Sequence, residues 1–466
     1  MEYEPNEPTH QSVTKFEAML KTDAVYFFDA EDFEEIIHHY LNEGKISLAK
    51  KAIRMGLQQH PGALELQLLD VEVMVFENHF EKAEALLDQL QQIDAQNEEI
   101  FIQRANICSK QSNHLKAIDL LYQALALSDD DFDIHALLGM EYLFLDDYPR
   151  AKQCFMHCLE TDPDDYTSLY NLIYCFEYLE DAQGAITYLN TYLDTNPYCQ
   201  IAWHQLGKQY YSAKMYPEAL SAFDFAIISD DTFLGAYFEK GRVLEKLGRY
   251  AEAIENYSLT MEMDNPTSQA YLRIGRCYEK MGSDHQAQHY YYLTVHEDPL
   301  LDKGWLAITD FYLKQKKFVK AKEYIDKAIG IDGENPTYWQ RCAVIHQALG
   351  DLDEADFAFS QTVDLGNYDL DTWLAWAEVL RKNEETESAA EILIQGKEFH
   401  PEAGALSYAL AGICYELGQD EEACNHLSLA VDQDPEKLKL FKQSFPEFFS
   451  NPRVQQILKE GRNASE

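Results

Sequence analysis

The sequence predicts an all-α fold: a solenoid of about twelve 34-residue helix–turn–helix repeats with a C-terminal capping helix. Two observations carry this. A Gly–basic step recurs as Gly207-Lys208, Gly241-Arg242 and Gly275-Arg276, each 34 residues after the last. In the frame set by that spacing, repeats start at residues 30, 64, 98, 132, 166, 200, 234, 268, 302, 336, 370 and 404. Alanine then occupies position 20 of every repeat, from Ala49 through Ala219 to Ala423, and no insertion or deletion interrupts residues 30–437.

Taken in chain order, residues 1–12 are polar and read as a disordered terminus. Residues 13–29 suit a short helix leading into the first repeat. Within repeat 6, Trp203, Leu206, Gly207 and Tyr210 fall at positions 4, 7, 8 and 11, and Ala219, Phe223 and Ala226 at 20, 24 and 27. That is the apolar spacing of two short helices. Alanine at position 20 lets the second helix approach the first, where a larger side chain would overpack. Small residues at position 8 serve the same contact from the other side. Glycine at position 15 in five repeats (Gly44, Gly248, Gly282, Gly350 and Gly418) supplies the turn between the helices. Proline at position 32 in six repeats stops the second helix. Trp203, Trp305, Trp339 and Trp373, all at position 4, read as packing residues. Residues 438–466 form the capping helix and tail, with Phe441, Phe445, Phe448 and Phe449 available to cover the last repeat.

The pattern W-L-G-Y, then A-F-A, then P resembles the tetratricopeptide repeat, and the resemblance spans residues 30–437. It implies a right-handed α-superhelix whose first helices line a concave groove for peptides, with positions 2, 5, 9, 12 and 13 facing it. On that geometry, position 9 of repeats 6, 7 and 8 sets Lys208, Arg242 and Arg276 in a cationic ladder about 20 Å long, with Arg273 beside it. Tyr170, Tyr174 and Tyr178, four residues apart in repeat 5, form an aromatic stripe. His204, Tyr211 and Phe238 extend it. The expected partner is a protein or peptide carrying carboxylate or phosphate groups, which arginine binds bidentately. Against this stands a plainer expectation: Glu245 and Glu279, three residues after Arg242 and Arg276, neutralise those two rungs on the same helix. The carboxylate clamp of chaperone-tail-binding relatives is not assembled. Asn106 matches position 9 of such a clamp but Ile102 holds position 5, and Asn171 and Arg273 each match one element only.

Acidic residues number 81 against 38 basic ones, giving a net charge of −43. A surface this negative excludes general affinity for nucleic-acid phosphates. No apolar run is long enough to cross a bilayer, and the N-terminus has no signal-peptide pattern. Nine cysteines without a CxxC pair read as reduced thiols of a cytoplasmic protein. Gly207-Lys208 lacks the following Ser or Thr of a phosphate loop. Asp129, Asp131 and Asp133 have EF-hand spacing, but Ile134 and Met140 hold the places of the required glycine and glutamate. Cys154, His157 and Cys158 on one helix turn, His285 with His289, and the adjacent His38 and His39 each fall short of a zinc set. Neither a cofactor nor a metal is therefore expected. The sequence points to a non-catalytic protein–protein scaffold or adaptor that binds no nucleic acid and no membrane. A regulatory subunit of an enzyme complex and an RNA-binding helical repeat are the alternatives. The latter is disfavoured by Glu72, Asp310 and Glu378 at position 9 of other repeats.

Overall fold

The computed structural model describes residues 8–22, 26–263, 267–444, 446, 448–450 and 452–455. Among these the regular elements are all helical, paired from Ala30–Asn42 with Ile46–Gln59 to Gly404–Glu416 with Asp420–Gln433. The first helix of each pair begins on the first position of the repeat frame, and the second at position 17 or within one residue of it.

Position 20 explains the tight pairing. All twelve alanines there, Ala49 through Ala423, are completely buried. Position 8 shows complementarity of size. A Cβ added to Gly139, Gly207, Gly241 or Gly275 would come within 2.6–2.7 Å of the ring of Phe155, Phe223, Tyr257 or Tyr291. These four rings all occupy position 24; in repeat 10 the position-24 ring, Phe359, is accompanied by alanine, Ala343, at position 8.

The turn at position 15 is left-handed in every repeat. Five repeats use the glycines already named. The other seven force a side chain into the same region: Asn78, Ser112, Asp146, Glu180, Lys214, Lys316 and Glu384, with φ between 53° and 66°. Repeats are joined by a second device. The indole N–H of Trp203, Trp305 and Trp339 donates to a carbonyl six residues earlier, on Pro197, Pro299 and Gly333, at 2.8–2.9 Å. Position-4 tryptophan therefore both packs and pins the preceding turn.

The repeats fall into two compact units, Met1–Asp231 and Thr232–Glu466. The N-terminal unit opens with a helix over Pro8–Thr22. It starts before the expected residue 13 and stops before the expected residue 29. Proline is well placed at a first helical position, where no amide bond is lost. Phe16 and Met19 of this helix are buried with Phe28 and with Phe33 and Tyr40 of repeat 1. Residues 1–7 of the expected disordered terminus lie outside the described residues. The C-terminal unit ends in a short helix, Leu438–Ser444, and a 3-10 turn, Phe448–Ser450, instead of one capping helix. Pro446 accounts for the break, since its ring cannot continue the helix. Phe441, Phe448 and Phe449 are buried against Tyr408, Ala411 and Leu427 of repeat 12. Phe445 and the tail from residue 456 lie outside the described residues.

Candidate functional site

In the N-terminal unit the first helices of neighbouring repeats touch: Ala30–Asn42 meets Leu64–Phe76, which meets Glu98–Lys110, and Tyr166–Tyr178 meets Gln200–Ser212. Residues at one repeat position therefore form columns down the helices. Tyr170 and Tyr174 of repeat 5 and Lys208 of repeat 6 line a single cavity of about 520 Å³ with Met140, Phe144, Asn171, Glu177 and Gln205. Tyr170 and Tyr174 are 44% and 42% exposed, and Phe144 is 57% exposed. So much open aromatic surface needs a reason, since buried aromatics are the larger source of stability.

Local contacts organise this surface. Tyr178 stacks on Tyr148 with ring centres 4.7 Å apart and lies 4.5 Å from Tyr174. The Tyr148 hydroxyl donates to Asp146 at 2.8 Å. Across the cavity, Gln209 donates to Glu177 at 3.2 Å. Lys208 makes no ion pair among the described residues. It stands beside His204, whose ring is packed 5.7 Å from that of Phe223. Burial, and then the Lys208 charge, lower the His204 pKa to about 4. Tyr211 packs edge-on to Tyr216 at 5.7 Å. His204 and Tyr211 thus belong as much to helix packing as to the open face.

An acidic column went unrecognised in the sequence. Position 2 of repeats 1–4 holds Glu31, Glu65, Glu99 and Asp133, and Glu34 and Glu72 stand at positions 5 and 9 of repeats 1 and 2. None of these six carboxylates is in an ion pair among the described residues. Burial, then Glu65 and Glu31, push the Glu34 pKa up. Burial also raises that of Glu99, with Glu98 and Asp133 adding to it and a bond from Gln103 opposing it. The signal was present in the repeat frame: reading position 2 down the column exposes four acids in succession.

The remaining sequence candidates lie in the C-terminal unit, so Lys208 and the two arginines of the expected ladder are divided between units. Arg242 is bound by Glu239 at 2.8 Å, three residues before it, and not by Glu245. Glu245 instead accepts from the buried Tyr257 hydroxyl at 2.5 Å and pairs with Arg273 at 3.5 Å. Glu279 likewise accepts from Tyr291 at 2.5 Å and pairs with Lys314. The rings that glycine admits at position 8 carry hydroxyls that claim these glutamates, so the expected Arg–Glu pairs three residues apart do not form. Arg276 makes no ion pair among the described residues. Phe238 is half-buried against Tyr257, with ring centres 5.3 Å apart.

The helical cysteine–histidine group separates as well. Cys154 and Cys158 are buried, and burial pushes the Cys154 thiol up to about 12. His157 points instead to Asp131. Among the described residues, no helix is long and apolar enough to cross a membrane.

Two family models match separate parts of the chain. Residues 66–214 match the ChAPs, described as Chs5p-Arf1p-binding proteins, and residues 229–439 match the C-terminal domain of cilia and flagella-associated protein 70. The human cilia- and flagella-associated protein 70 is 23% identical over 195 residues, covering 40% of this chain and 17% of that protein. The chain thus spans less than a fifth of the curated relative that it matches. Among solved structures, a tetratricopeptide repeat protein from Parabacteroides merdae aligns with a TM-score of 0.43 at 14% identity, over 54% of this chain and 99% of that one. Yeast Tom70 aligns with a TM-score of 0.41 at 13% identity, over 92% of this chain and 99% of its own.

Proposed function

We propose that this chain, a tetratricopeptide-repeat protein, is a non-catalytic scaffold that holds an extended segment of a partner protein along the first helices of its N-terminal unit. The cavity shared by Tyr170, Tyr174 and Lys208 carries the reading. Tyrosine offers wide contact area at low entropic cost and a hydroxyl for backbone groups of a bound segment. Lys208, without an ion pair, suits a carboxylate or phosphate on that segment. The acidic column of repeats 1–4 suits the opposite charge, so the favoured ligand is bipolar: basic towards repeats 1–4 and acidic towards repeat 6. Relief of mutual repulsion at Glu34 and Glu99 favours such a ligand.

The name of one matched family, proteins that bind Chs5p and Arf1p, supports protein binding as the class of function. A cytoplasmic, reducing compartment suits nine free, buried cysteines. A regulatory subunit of an enzyme complex would use the same surface and differ only in what it holds. The test is affinity capture from native lysate with the intact chain and with Lys208→Glu and Tyr174→Ala variants. Stoichiometric partners should be lost from both variants and weakened by salt. Equal capture by all three proteins sinks the assignment of the site.

A further inference from the structure

We propose that Asp131, His135 and His157 form a binding site for a divalent transition metal, Zn²⁺ or a neighbouring first-row ion, at the junction of repeats 3 and 4. Three different elements supply the donors: the inter-repeat turn, the first helix of repeat 4 (Phe132–Phe144) and its second helix (Tyr148–Thr161). Each residue offers one donor atom, and the three atoms lie within 4.8 Å of one another. Asp131 Oδ2 is 3.0 Å from His157 Nε2 and 3.7 Å from His135 Nδ1. Tetrahedral zinc with bonds of about 2.0–2.1 Å places its ligand atoms about 3.3 Å apart. The two observed separations bracket that edge. Two imidazoles and a carboxylate suit zinc, and the partial exposure of all three side chains leaves a fourth place for water.

Two comparisons with neighbouring repeats of the N-terminal unit distinguish this cluster. Asp131 is the N-cap residue of its helix, yet its side chain caps no amide. Asp147, Asp165 and Asp181, at the N-caps of neighbouring helices, all accept from amides of the first turn. The Asp131 carboxylate is turned to the histidines instead. Furthermore, His135 and His157 occupy positions 4 and 26 of their repeat, which in repeat 6 are Trp203 and Phe225, stacked at 4.7 Å. The imidazoles take over that aromatic slot, with ring centres 4.0 Å apart.

Metal entry requires two local proton shifts. His135 Nδ1 lies 2.9 Å from the Asp131 carbonyl oxygen, but that oxygen also accepts the His135 amide. Moving the ring proton to Nε2 and turning the ring away from the carbonyl make the Nδ1 lone pair available to a metal, and the carbonyl keeps its bond from the His135 amide. Binding at His157 Nε2 likewise needs the proton that now faces Asp131 to pass to Nδ1 of the same ring.

The test titrates Zn²⁺ into the full chain against a chromogenic chelator, and Co²⁺ in parallel by visible spectroscopy. One equivalent should bind with the intense visible bands of four-coordinate cobalt, and Zn²⁺ should raise the melting temperature. The double variant His135→Trp/His157→Phe rebuilds the repeat-6 pair; it should keep its helical circular dichroism and lose that equivalent. Asp131→Asn, the milder change, should bind at least about tenfold more weakly. An unchanged stoichiometry in the double variant, or cobalt spectra without four-coordinate bands in the parent chain, overturns the proposal.

Discussion

A methyl group on Gly207 would come 2.6 Å from the Phe223 ring, and the ring is completely buried. Gly207→Ala should therefore cost about 1–3 kcal/mol by overpacking. Adding Phe223→Leu should restore part of it, because other repeats pair alanine with leucine at these positions, as at Ala377 and Leu393. A double-mutant cycle in urea reads the coupling, and strict additivity would refute the pairing. At position 15 the sign reverses. Lys316 is held at φ 57°, so Lys316→Gly should stabilise by about 1 kcal/mol, seen as a higher urea midpoint. His204 gives a pH signature. Its pKa near 4 lies below the ordinary value near 6.5. The unfolded chain therefore takes up the proton first, and stability from this group, at most ~3 kcal/mol, is lost as pH falls from about 6.5 towards 4. NMR titration of the His204 ring, with the loss absent in His204→Phe, checks both sign and origin. Repeat periodicity made the small residues at positions 8 and 20 legible. It could not show which ring each glycine admits, because that fit exists only once both helices are in place.

Among elements, position-4 tryptophan was legible as a packing residue, but its hydrogen bond was not. The acceptor is a carbonyl, present at every residue and so invisible in the sequence. Trp305→Phe keeps most of the packing and removes the bond to the Pro299 carbonyl. It should cost about 1 kcal/mol, measured by chemical denaturation, and a neutral effect would show the bond to be ornamental. The Arg–Glu pairs expected on the first helices failed for a related reason. Spacing three apart makes a pair feasible, but Tyr257 and Tyr291 reach the same carboxylates from the second helix. A buried hydroxyl without an acceptor costs more than an exposed ion pair gains. Tertiary demand therefore overrides local charge spacing.

At the scale of the whole molecule, the repeat frame runs unbroken while the chain forms two compact units meeting in sequence at Asp231 and Thr232. Periodicity counts repeats and carries no mark of where one compact unit ends in sequence, which is why the division was not legible. Residues 1–231 expressed alone should therefore fold with cooperative unfolding; a non-cooperative helical fragment would contradict that. The candidate cavity lies wholly inside this unit, as does the acidic column, so the central claim needs no contribution from Arg242 or Arg276. The most direct measurement is selection of random displayed peptides on the full chain, with anisotropy titration of the recovered sequences. Bipolar peptides that bind the parent chain, and at least about tenfold more weakly to Lys208→Glu or Tyr174→Ala, are the predicted result. Peptides that bind all three proteins alike, or no enrichment at all, would contradict the account.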